Sequence, residues 1–191
     1  MMLKRREAVK HLLKERGDLL VVTGLGAPTY DVAATGDSPL NFYLWGAMGS
    51  AAMVGLGLAQ ARPNSRVAVI TGDGEMLMGL GALATIGVKQ PKNLSIVVID
   101  NRHYGETGMQ ASHTASGVDL TAIAKACGFA NTLYVDSESG IAAARAALHG
   151  GKGPVFIQIR VEAVDEPRVL PLRDGAEIKF RFMQALAGLG R

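Results

Sequence analysis

Apolar positions along the chain fall into short continuous runs separated by stretches of helical period. Leu19–Val22 is an unbroken aliphatic run that ends in Thr23-Gly24. Arg66–Thr71, Leu94–Asp100, Thr132–Val135 and Pro154–Arg160 are further Val/Ile/Leu-rich runs. Runs apolar at every position predict strands buried on both faces rather than half-exposed strands with alternating pattern. The intervening periodicity predicts helices over residues 2–16, 28–35, 47–61, 76–88, 119–127, 137–149 and 175–188, with Ser137 a candidate N-cap and Glu166–Asp174 a connector. Strand and helix alternate throughout. That order predicts an α/β chain with a parallel sheet covered by helices on both faces. With 191 residues and no repeat or low-complexity tract, the reading is one domain over residues 1–191.

Composition narrows the function classes. Hydrophobic residues make up 48% against 19% charged, enough to build a core and too apolar for a disordered chain. A single cysteine, Cys127, excludes a disulfide framework or an iron–sulfur site held by this chain's thiolates and reads as core. The net charge of +3 is concentrated: residues 1–16 hold six Lys/Arg and two Glu, so the rest is close to neutral. One basic helix face, read as solvated, therefore explains the excess, and no nucleic-acid site is expected. Ser38–Ala61 lacks charge, but its Pro, Gly, Asn and Gln make it too polar for a membrane span. The chain reads as cytoplasmic, with no leader and no membrane partner.

In parallel sheets ligands sit beyond the carboxyl ends of the strands. Three such ends carry chemistry: Thr23-Gly24-Leu25-Gly26, Gly72-Asp73-Gly74-Glu75 and Asp100-Asn101-Arg102-His103-Tyr104-Gly105. Two glycines around Asp73 let the backbone approach a ligand, and the helix start beyond them favours phosphate. A carboxylate facing phosphate is repulsive unless a hard divalent cation such as Mg²⁺ lies between them. Asn101, separated from Gly74 by 26 residues and at the next strand end, offers a further oxygen. The only near match to a dinucleotide fingerprint, Gly79-Leu80-Gly81-Ala82-Leu83-Ala84, follows no strand and reads as mid-helix.

Gly72–Asn101 resembles the thiamine-diphosphate motif, Gly-Asp-Gly followed some 25–30 residues later by Asn, with Asp100 standing where that family usually has a first Asn. Asn41–Ser50 is similar to the family's Gly-x-Met-Gly segment. Over residues 2–187 the likeness is to the diphosphate-binding (β) part of thiamine-diphosphate-dependent 2-oxo acid decarboxylases acting on sulfopyruvate- or phosphonopyruvate-like acids. The resemblance implies a three-layer α/β/α fold with a mostly parallel six-stranded sheet. It implies Mg²⁺ held by Asp73, Asn101 and the carbonyl of His103, with Gly72, Gly74, Glu75 and Tyr104 against the diphosphate and Thr23 and Gly24 nearby. It further implies that the Gly46 carbonyl holds the aminopyrimidine and that Met48 bends the cofactor.

Family members bind the cofactor between two domains, and the second supplies an activating glutamate. The resemblance therefore implies a separate α subunit, in an α2β2 or larger hetero-oligomer, and a decarboxylation that releases CO₂ and an aldehyde. His113 is the candidate acid/base group, with a surface histidine the rival reading. Arg102 is either a contact to an anionic substrate or a solvated loop residue. Two alternatives stay open. One is the thiamine-binding β subunit of a 2-oxoacid:ferredoxin oxidoreductase, which Tyr104–Gln110 also resembles. The other is a non-catalytic subunit of the same fold.

Overall fold

A computed structural model describes residues 2–189. The strands are β1 (Leu20–Thr23), β2 (Asn41–Tyr43), β3 (Val67–Gly72), β4 (Leu94–Asp100), β5 (His103–Tyr104), β6 (Gln110–Ala111), β7 (Asn131–Val135) and β8 (Val155–Arg160). The helices are α1 (Arg5–Leu13), α2 (Ala27–Ala34), α3 (Ala51–Ala61), α4 (Asp73–Met78), α5 (Gly81–Lys89), α6 (Leu120–Ala126), α7 (Glu138–Gly150) and α8 (Gly175–Gly188). Six strands form one sheet in the order β2-β1-β3-β4-β8-β7, all parallel. β5 and β6 make a small separate antiparallel hairpin.

The aliphatic runs of β1, β3, β4 and β8 are buried on both faces, as their pattern predicts, whereas β7 at the sheet edge leaves Asn131 and Tyr134 exposed. In β4 every residue is buried. Val97 and Ile99 face a core built with α1, α2 and α7, while Leu94, Ile96 and Val98 face one built with α3, α4, α5 and α6. α8 closes the β2 edge, placing Ile178 in the first core and Phe182 in the second. Among the described residues no helix is long and apolar enough to cross a membrane.

The chain winds outward in two directions from the sheet's middle. β1 leads to β2 on one side, and β3 leads to β4 on the other. The carboxyl ends of β1 and β3 thus flank a topological switch point, where open α/β sheets leave a crevice.

Several elements depart from the sequence reading. β2 lacks an aliphatic run and was not predicted; it is a three-residue edge strand paired only with β1. The helix expected over 2–16 ends at Leu13, ahead of the left-handed turn at Glu15 and Gly17. The helix expected from residue 47 begins at Ala51, because Gly46 and Gly49 take φ of 73° and 82°. The helix expected over 76–88 is two: α4 starts at Asp73, and a break at Gly79 precedes α5. A Cβ on Gly79 would lie 2.0 Å from the Gly49 carbonyl oxygen, so the glycine-rich stretch serves a backbone-to-backbone contact at this break. Ser137 stands at the N-cap of α7 without a side-chain cap; its hydroxyl lies 3.2 Å from Ser139 Oγ. Asp119 does cap α6, accepting from Ala122 N at 2.9 Å. Cys127 is half-buried at the end of α6.

The basic amino-terminal face is not merely solvated. Arg5 is buried, and its Nε ion-pairs with the fully buried Asp31 of α2. Arg6 Nε adds a second contact to Asp31 at 3.3 Å, and Arg6 Nη1 reaches Glu166 at 3.3 Å. Arg16 donates to Asn41 Oδ1 at 2.5 Å. Buried acceptors elsewhere in the chain recruit these cations inward, a pairing that helical periodicity does not show.

Candidate functional site

At the switch point lies a cavity whose lining includes Leu25 to Pro28 after β1, Gly72 to Glu75 after β3, and Asn101, His103 and Tyr104 after β4. Met48 lines it from the β2–α3 loop, and Arg168 from the connector beyond β8. The three strand ends singled out in the sequence therefore converge. Gly46, Thr23, Gly24 and His113 are not among the lining residues. Thr23 is fully buried behind the cavity, its hydroxyl accepting from Thr29 at 2.8 Å.

Asp73 is buried at the start of α4. Its Oδ2 accepts from Ser112 Oγ at 2.5 Å and from Thr114 Oγ1 at 3.2 Å. Burial raises its carboxyl above the usual carboxylate range; the Ser112 hydroxyl opposes that shift and the nearby Asp100 charge adds to it. Among the described residues Asp73 forms no ion pair, and its Oδ1 receives no side-chain donor.

Asp100 is also buried but turns away from the cavity. Its carboxylate accepts from the Arg102 amide at 2.9 Å, Thr114 Oγ1 at 2.8 Å and Gln158 Nε2 at 2.8 Å, with Arg160 Nη1 at 3.7 Å. Every one of these partners is a donor. That explains why an acceptor-only aspartate suits a position where the motif usually has Asn.

Asn101 Oδ1 accepts from the His103 amide at 2.9 Å, which closes a tight side-chain turn and keeps one lone pair free. The His103 ring folds back on the chain, with Nδ1 2.8 Å from the Asn101 carbonyl oxygen. Since a carbonyl only accepts, Nδ1 carries the proton. Arg102 is exposed with φ of 62°, an outward loop position.

Glu75 is a buried hub. Oε2 accepts from Thr71 Oγ1 at 2.8 Å and from the Leu25 amide at 3.1 Å, while among the described residues Oε1 meets no donor in hydrogen-bonding geometry, the Gly49 and Ala51 amides acting on the carboxylate only from farther off. Burial raises its carboxyl, opposed by Thr71 and Leu25 and, more weakly, by the amides of Gly49 and Ala51. Gly24 is adapted to this carboxylate rather than to the cavity: a Cβ there would fall 1.4 Å from Oε2. Gly74 is matched to Tyr104 in the same way, since a Cβ would lie 2.6 Å from the ring. The Tyr104 hydroxyl in turn lies 3.0 Å from Nδ1 of the exposed His113.

Sequence reasoning missed Ser112, Thr114 and Gln158. The one available signal was two hydroxyl residues at alternate positions flanking His113.

Residues 24–159 match the family model described as thiamine pyrophosphate enzyme, C-terminal TPP binding domain. The chain belongs to the thiamine pyrophosphate enzymes. Among relatives in this family, it is 40% identical over 190 residues to the sulfopyruvate decarboxylase subunit beta of Methanothermobacter thermautotrophicus, covering 98% of both chains. It is 37% identical over 184 residues to the phosphonopyruvate decarboxylase of Streptomyces viridochromogenes, covering 93% of this chain and 45% of that one. Benzoylformate decarboxylase from Polynucleobacter necessarius has the same fold, with a TM-score of 0.71 at 20% identity over 86% of this chain and 34% of that one. The matched residues include all three strand ends that line the cavity at the switch point.

Proposed function

We propose that the chain is the diphosphate- and Mg²⁺-binding subunit of a two-subunit, cytoplasmic decarboxylase acting on a sulfopyruvate- or phosphonopyruvate-like 2-oxo acid. The observation that carries this reading is the end-to-end match to a sulfopyruvate decarboxylase subunit beta, 98% of each chain. The whole chain is then one diphosphate-binding unit. The 45% share of the phosphonopyruvate decarboxylase that it spans fits half of a two-domain cofactor site. The complementary half, with the activating glutamate, belongs to a partner subunit in a hetero-oligomer.

The donor chemistry fits a hard cation. Asp73 presents a buried carboxylate with no basic partner, in surroundings that make an unneutralised negative charge costly. Asn101 adds a side-chain oxygen with one lone pair in use. His103 contributes its backbone carbonyl, since its ring is turned onto the Asn101 carbonyl. Among the described residues, no three His, Cys, Asp or Glu side chains cluster in a way that could hold a metal. Asp73 and Asn101 would accordingly hold Mg²⁺ together with backbone and phosphate oxygens, a mixed set Mg²⁺ commonly takes.

When bound, thiamine diphosphate supplies a nucleophilic carbon and an electron sink for the carboxylate lost as CO₂. The chain's own residues bind and orient. The start of α2 and the Gly72–Glu75 turn line the cavity where the diphosphate would lie. The Tyr104 ring packs over Gly74 and walls that turn from solvent. Met48 lines the cavity from the β2–α3 loop, where it would pack against the bound cofactor. His113 does not line the cavity, and its Nδ1 lies 3.0 Å from the Tyr104 hydroxyl, through which it would reach a group bound there.

The test is turnover. Co-expressed with the partner that co-purifies from the native cell, the chain should release CO₂ and aldehyde from sulfopyruvate or phosphonopyruvate, and alone it should release neither. Turnover by the isolated chain would refute the two-subunit reading. Coenzyme A- and ferredoxin-dependent electron transfer by the pair, without aldehyde, would replace decarboxylation with oxidation.

A further inference from the structure

Ser112 and Thr114 lie 39 and 41 residues from Asp73 in sequence, yet both hydroxyls reach the same carboxylate oxygen. They sit at alternate positions where β6 runs into a short 3₁₀ turn over His113–Ser116. Both are buried, while the intervening His113 points outward to Tyr104. The segment is pinned from behind, because the Ser112 amide donates to the Arg102 carbonyl at 2.8 Å.

Thr114 Oγ1 also lies 2.8 Å from Asp100 Oδ1 and 2.9 Å from Ser112 Oγ. Asp100 is held further back by Gln158, whose Oε1 accepts from the Thr121 hydroxyl at 3.0 Å. A chain of polar groups thus runs from α6 through β8 and β4 to the first residue of α4. Each hydroxyl has one proton, and the carboxylates can only accept. The Ser112 proton therefore points at Asp73 Oδ2, while the single Thr114 proton is shared between Asp100 Oδ1 at 2.8 Å and Asp73 Oδ2 at 3.2 Å, so both hydroxyls still lie against Oδ2 of Asp73. This fixes the rotation of that carboxylate and leaves Oδ1 without a side-chain donor.

We infer that Ser112 and Thr114 are positioning residues that clasp Asp73 by Oδ2 so that Oδ1 is presented to the divalent cation. The inference rests on the reading of Asp73 as a cation ligand. The hydroxyls touch neither cation nor substrate. They act through Asp73, as outer partners of metal ligands do when they set ligand orientation.

Mn²⁺, a paramagnetic stand-in for Mg²⁺, is titrated into the full chain in the presence of thiamine diphosphate, with free Mn²⁺ read by electron paramagnetic resonance. Ser112→Ala and Thr114→Val should each weaken Mn²⁺ binding by about tenfold, the scale at which outer partners act. Thr114→Ser and Ser112→Thr keep the hydroxyls and should bind close to wild type, which controls for variants that fold poorly. A purely structural role would lower the melting temperature of Ser112→Ala and leave its Mn²⁺ titration unmoved. Wild-type affinity in Ser112→Ala and Thr114→Val, with binding lost in Asp73→Asn, overturns the clasp and leaves the cation site standing. Unchanged binding in Asp73→Asn, or no binding by wild type, overturns the cation reading and the clasp with it.

Discussion

A methyl group at position 24 would lie 1.4 Å from Glu75 Oε2, a distance no side-chain adjustment of a few tenths of an ångström relieves. Gly24→Ala must expel a buried carboxylate that holds the Thr71 hydroxyl and the Leu25 amide. The expected loss is about 1–3 kcal/mol, as for other overpacked sites, measured by the denaturant midpoint. In Gly24→Ala/Glu75→Ala the clash is gone, so the double variant should lose less than the sum of the singles. Tyr43 gives a pH prediction. Burial foremost, then the hydrogen bond to Asp37, raises its hydroxyl well above its ordinary value, with Asn41 opposing. The native state therefore keeps this proton at pH values where an unfolded tyrosine, titrating near ~10, has lost it. Stability from this group is fully present below that pH and falls as pH rises above it. Thermal melts between neutral and strongly alkaline pH should show that loss, and Tyr43→Phe should show a shallower one. At this scale the sequence was informative about glycines and acids and silent about their partners. Gly24 and Glu75 were both noted as cofactor contacts. That they are matched to each other depends on a fifty-residue return of the chain that no local pattern encodes.

The strand elements were legible wherever burial on both faces imposes an unbroken aliphatic run, and β4 was read residue for residue. β2 escaped because an edge strand of Asn, Phe and Tyr needs no such run. The β5–β6 hairpin escaped because two-residue strands have no period to detect. Helix starts near Gly49 and Gly79 were misplaced for one shared reason: the backbone contact between those two loops decides both. The amino-terminal helix teaches a different point. Its basic residues look like a solvated face, yet Arg5 and Arg6 converge on Asp31 and tie α1 to α2, the helix whose first turn lines the cavity. Asp31→Asn should destabilise by about 3–5 kcal/mol, because a buried guanidinium loses its counter-charge. Arg6→Ala should cost much less, since Arg6 is partly exposed and Arg5 still pairs with Asp31. Chemical denaturation of both variants checks the order; equal losses would contradict the account of Arg5 as the buried partner.

At the scale of the whole molecule, the parallel sheet gathers three chemistry-bearing strand ends around a cavity at its switch point. The convergence of the three strand ends on that cavity was readable because parallel sheets put strand ends together. The clasp behind the site was not readable, because hydroxyl residues are ordinary in loops and acquire meaning only from what they reach. A near-complete match to a sulfopyruvate decarboxylase subunit beta supports the proposal that this chain is half of an active site, with the task of gripping the cofactor's charged end. Calorimetric titration of the full chain with thiamine diphosphate tests that claim most directly. With Mg²⁺ present it should bind one equivalent, and that heat should vanish when the cation is chelated or when thiamine without its diphosphate is used. Equal binding with and without the cation, or equal binding of thiamine and its diphosphate, would contradict the account.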